Sequence, residues 1–144
     1  MLRNQIFIAS LCLYLIVAAN NQFDIKSETL LHSTSAWNGV SYEVYSKGAL
    51  ELSVLRITIP PHSNRKWHTH PMPSAAYIVS GEITIEQLGV NKKRPFVAGE
   101  VVPETVNILH RGIAREQPVV LIVFYAGVKG MPLAETNRRD GGAR

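Results

Sequence analysis

The stretch WHTHPMPSAAYIVSG, residues 67–81, carries the densest chemistry in the chain. His68 and His70 are separated by one residue, and in a β-strand side chains two apart project from the same face. Two imidazoles so placed can close on a single ion at about 2.0–2.1 Å, the usual nitrogen–metal distance. Neutral imidazole suits zinc, copper, iron and nickel alike, so the pair points to metal chemistry without naming the metal. Taken alone, it reads equally as two surface histidines on a strand. His32 and His62 stand outside this spacing and are expected to be structural or exposed. Trp67, beside the first histidine, should face away from the ion by the same alternation. Arg56, Lys66 and Arg111 are candidates to hold an anionic substrate, with plain solvation as the alternative.

A pair of this kind needs strands to carry it, and the sequence is patterned for them. Strands are expected over 29–33, 40–45, 50–59, 75–80, 82–87, 96–97, 100–102 and 119–125. Between them fall Asn38-Gly39, Lys47-Gly48, Pro60-Pro61, Ser80-Gly81, Gly89, Ala98-Gly99 and Gln117-Pro118. These turn signals cut each run before helical turns could accumulate. Leu55, Ile57 and Ile59 share one face against Arg56 and Thr58, and Ile83 and Ile85 alternate with Glu82, Thr84 and Glu86. The run 119–125 is apolar throughout, as a strand covered on both faces would be. Tyr77 and Phe124 lie on such runs and are expected to pack inside. Many short strands without helices imply a sandwich or a closed barrel, and the pattern alone does not choose between them.

The histidine segment also resembles the first signature of the cupin superfamily: Gly, five residues, His-x-His, three or four residues, Glu, six residues, Gly. His68, His70 and Gly81 hold their places in it, and Gly99 and His110 fit the second signature at its expected separation. The resemblance covers residues 58–126. The closing VVLIVFYAGVKGMPL, together with Trp37-Asn38-Gly39 and LRITIPPHS, is similar to small exported cupins. It implies an all-β fold, a closed double-stranded β-helix of six to eight strands, with His68, His70 and His110 pointing inward as metal ligands. Several positions depart from the signatures. Ser74 stands where the metal-binding Glu would be, His62 replaces the first Gly, and Thr105, Asn107 and Ala114 replace the Pro, inner Gly and Asn of the second signature. Three histidines plus water is a recognised open zinc geometry, with a coordination position left for substrate. Glu104, six residues before His110, is the substitute carboxylate, either as fourth ligand or as general base. A solvated turn residue is the alternative, because strand parity near Pro103 is ambiguous.

Length and charge narrow the rest. The chain has 144 residues, enough for one domain with a real core, and a net charge of +4. Much of the positive excess sits at the ends, and no basic stripe interleaves with aromatics, so no nucleic-acid partner is expected. Residues 1–19 combine Arg3, an apolar run and small residues Val17 and Ala19 before a cut, the pattern of a secretory signal peptide. An uncleaved anchor is the competing reading. The single cysteine, Cys12, falls within this segment and forms no intramolecular disulfide. The expected organisation is a signal peptide over 1–19, a barrel domain over 20–130 and a polar tail over 131–144. The expected protein is periplasmic or secreted, homodimeric and free of stable membrane insertion once the signal is removed. It binds a divalent transition metal (Fe, Zn, Mn, Ni or Cu) and acts on a small molecule as a dioxygenase-like enzyme, with Glu104 catalytic. A non-catalytic small-ligand or metal-binding module is the alternative.

Overall fold

The computed structural model describes residues 25–136. The expected signal peptide and the tail beyond residue 136 lie outside the described residues. Ten strands and no helix occur among them: β1 Leu50–Ile59, β2 Ser63–Asn64, β3 His68–Thr69, β4 Ser74–Ser80, β5 Glu82–Gln87, β6 Lys92–Val97, β7 Val101–Pro103, β8 His110–Ala114, β9 Val119–Val128 and β10 Glu135–Thr136. They form two antiparallel sheets. One has the order β1-β9-β4-β7, and the other runs β10-β3-β8-β5-β6 with β2 also paired to β8.

The alternating strands sort their side chains as their period demands. On β1, Leu55, Ile57 and Ile59 turn toward the interior while Arg56 and Thr58 stay exposed. Strand β9 presents Val119, Leu121, Val123 and Tyr125 inward, where they meet Ile78, Ile83, Phe96 and Val102 in one apolar core. Burying each large aliphatic side chain contributes about 1.5–3 kcal/mol, so this inner face is the main source of stability. Gly81 makes the β4–β5 turn possible. Its φ is 81°, and a Cβ there would stand 2.4 Å from the Pro118 carbonyl oxygen.

Several expectations need correction. Segments 29–33 and 40–45 form no strands. Only an isolated bridge joins Ser35 to Ser41, and Val44 and Tyr45 remain 85% and 68% exposed. β-Favouring residues there find no neighbouring strand to pair with, so local propensity goes unused. The short strands β2, β8 and β10 were not expected, and with β3, the strand the histidine spacing required, they bring the total above the anticipated six to eight. Strand β8 escapes notice because Gly112 interrupts it. A Cβ there would lie 2.5 Å from Ile83 Cδ1, so the end of that buried side chain would have to shift to admit one. Tyr77 and Phe124 belong to the outer face of the first sheet, 36% and 42% exposed, and are not barrel filling. Residues 131–136 run back to the edge of the second sheet, where Glu135 and Thr136 pair with Thr69 and His68.

Candidate metal centre

Two strands bring the three histidines together. His68 on β3 pairs directly with His110 on β8, and His70 follows β3 into a bridge with Val106. Their ring centroids lie 4.6–5.1 Å apart, and one ligand nitrogen from each falls within 4.8 Å of the others. All three side chains are buried.

Backbone carbonyls fix how the rings are oriented. His68 Nδ1–H donates to the Lys66 carbonyl at 2.7 Å, His70 Nδ1–H to the Leu133 carbonyl at 2.7 Å, and His110 Nδ1–H to the Ile108 carbonyl at 2.9 Å. Thr105 Oγ lies 3.0 Å from the same His110 nitrogen. A carbonyl can only accept, so each Nδ1 carries the hydrogen, and in the neutral ring each Nε2 keeps its lone pair for the interior. Second partners of this kind are what orient metal-ligating imidazoles.

Glu104 completes the cluster. Its backbone N–H donates to the Ser74 carbonyl at 3.0 Å, continuing the β4–β7 ladder beyond the Ala75–Pro103 pair. Parity therefore runs through Pro103, which an edge strand tolerates, and turns Glu104 inward beside Val102. At 7% exposure Glu104 is no solvated turn residue, and its Oε2 lies 3.2 Å from His110 Nε2. That contact is close but poorly aligned, for neither atom makes a well-formed hydrogen bond. Ser74, its neighbour across the ladder, is also buried, with its hydroxyl unpartnered. Tyr42 OH donates to the Glu104 carbonyl at 2.8 Å and braces it from outside.

The electrostatics match a cation site. Burial pushes the His68 imidazole down to about 4, against the opposing Lys66 carbonyl, and burial likewise lowers His70. Burial also opposes the charge on His110, but Glu104 outweighs it and holds His110 above its ordinary value. Glu104, despite its burial, is held below the usual carboxylate range by His110 and then by the other two histidines. Three inward lone pairs and a carboxylate oxygen without a well-formed partner are a donor set suited to a divalent transition metal. The cavity beside them has a volume of about 20 Å³, enough for roughly one water or ion. Its wall includes the aliphatic side chains of Ile78, Ile83, Ile85, Val102, Leu121 and Val123, together with Tyr125 and Arg65. Larger concavities lie elsewhere. A groove of about 330 Å³ between Tyr42, Tyr45 and Phe124 contains none of the histidines.

Of the residues singled out in the sequence, His68, His70, His110 and Glu104 converge. His32 is exposed, and His62 lies 3.9 Å from Glu116 at the surface. Trp67 faces away beneath Arg111, whose guanidinium sits 4.4 Å above its ring. Arg111 also binds Glu86 at 2.9 Å, and Arg56 and Lys66 are exposed, so none of these three cations lines the cavity. Arg65 and Tyr125 were missed. Tyr125 shares the parity of Leu121 and Val123 and could have been found that way. No pattern marks Arg65, which stands between two two-residue strands.

No protein-family model matches the sequence, and no curated protein matches it. Solved structures do resemble the fold. The DMSP lyase DddQ from Ruegeria pomeroyi DSS-3 superposes with a TM-score of 0.55 at 19% identity, over 62% of this chain and 45% of that one. A cupin-like protein from Thermotoga maritima gives 0.50 at 15%, over 76% and 89%. Oxalate decarboxylase from Lactobacillus farciminis gives 0.52 at 17%, over 61% and 27%. The matched region thus spans less than half of the lyase and about a quarter of the decarboxylase. The sheet order, the inward histidines and these superpositions agree, and the chain has a cupin-type fold.

Proposed function

We propose that this protein is a metal-dependent enzyme acting on a small molecule, with one divalent transition metal held by His68, His70 and His110. The convergence of three carbonyl-anchored imidazoles on one buried point carries this reading. A bound dication would supply Lewis acidity to a ligand oxygen or water at that point. Glu104 Oε2 is placed to hold or accept a proton there, and the apolar wall excludes bulk water. The decisive experiment compares metal content after purification without added metal. His68→Ala should lose its stoichiometric metal while His32→Ala keeps it, and equal content in both would reject the site. Turnover of a small-molecule panel, followed with and without oxygen consumption, then separates dioxygenase-like chemistry from oxygen-independent chemistry. Absence of turnover in a metal-loaded protein would favour the binding module.

Export and dimerisation belong to the same proposal. The apolar segment with Val17 and Ala19 supports export to the periplasm or medium. The outer face of β1, β9 and β4 exposes Leu52, Val54 and Phe124, at 66%, 63% and 42%, which supports pairing of two copies. Sedimentation should show a dimer, and Val54→Lys should return it to a monomer.

A further inference from the structure

We propose that Arg65 makes the metal centre a receptor for a small carboxylate, gripping the anion at the cavity wall. The proposal rests on the metal reading above and adds the chemical class of the ligand. Arg65 is partly buried and lines the same cavity as His68, His70 and His110. Its backbone is pinned, since its N–H donates to the Gly112 carbonyl at 2.9 Å, two residues along β8 from His110. Its side chain makes no ion pair among the described residues, whereas Lys93 and Arg111 share Glu86 and Arg94 lies near Glu100.

A partly buried guanidinium without a carboxylate partner, sharing a cavity wall with a cation site, is repelled unless an anion lies between them. Glu104 makes no ion pair with Arg65, and its Oε2 instead lies 3.2 Å from His110 Nε2. Size then selects the anion. A cavity of about 20 Å³ leaves room for little more than the ion, so an organic ligand can present it one oxygen, and the aliphatic wall offers no further donors. A phosphoryl group would press unpaired oxygens against isoleucine and valine. A carboxylate has two oxygens, one for the metal side and one for the planar fork of Arg65, and its organic remainder can point to solvent.

The test uses Co(II)-loaded protein, with visible absorption reporting ligand exchange, and acetate and azide as probes. Parent, Arg65→Lys and Arg65→Gln are first shown by elemental analysis to carry the same metal. A parent that takes up no metal overturns the underlying reading, and the proposal with it, before any anion is added. With metal present, acetate should bind the parent and weaken about tenfold or more in Arg65→Gln. Arg65→Lys should keep azide affinity within about twofold but lose acetate affinity, because a point charge replaces a fork. Equal acetate affinity in parent and Arg65→Gln, or no acetate binding by metal-loaded parent, would overturn the proposal. Unchanged acetate binding in Arg65→Lys would overturn the carboxylate assignment.

Discussion

Replacing Glu104 by Gln removes one charge from a buried pair while keeping its volume. In the metal-free protein, Glu104 keeps His110 above its ordinary value of 6.5 in spite of burial. The resulting stabilisation is complete below 6.5 and fades as the pH rises through the folded value. Without the carboxylate, burial is the largest influence left on His110 and lowers it, opposed by the Ile108 carbonyl. The folded variant then refuses a proton that the unfolded chain takes up below 6.5. One proton's difference lowers stability by ~1.4 kcal/mol for each pH unit of acidification. Glu104 has the opposite sign. Its depressed value stabilises the parent above the ordinary 4.5, and that contribution is lost only as the pH falls further. Between 6.5 and 4.5 the variant should therefore lose more stability than the parent, by at most about 3 kcal/mol, the low end of the cost of breaking a buried pair. Urea unfolding in the presence of chelator, from neutral pH down to 4.5, measures both curves. Parallel curves would refute the reasoning, because they would mean that Glu104 does not set the charge of His110.

Other outcomes follow from single positions. Gly112→Ala places a methyl 2.5 Å from Ile83 Cδ1, so thermal melting should show a loss of about 1–3 kcal/mol. Because β8 also carries His110, metal affinity should fall in the same variant. Intact mass of the exported protein should match a chain beginning near Asn20, and full-length protein retained in the membrane would contradict this.

The HxH pair was legible because its two-residue spacing needs only a strand to acquire meaning. His110 was legible only through the cupin resemblance, since Gly112 disguises its strand. The inward turn of Glu104 could not be read, because Pro103 hides whether the ladder continues, and that depends on a hydrogen bond to Ser74 thirty residues away. Segments 29–33 and 40–45 misled for the converse reason. Their residues suit a strand, but pairing is a property of neighbours. Arg65 was invisible because its importance lies in which cavity it borders and which partners it lacks.

Ser74 and Glu104 occupy two ends of one rung, facing the same interior. A motif is an address written along the chain, whereas an ion reads an address in space, and across a rung the two can be exchanged. A search that insists on an acid at residue 74 scores this site as damaged. A search that accepts an acid at either end of the rung scores it as whole. The same freedom is open to design, where a donor can be moved to the facing strand without changing the direction from which it approaches its ligand.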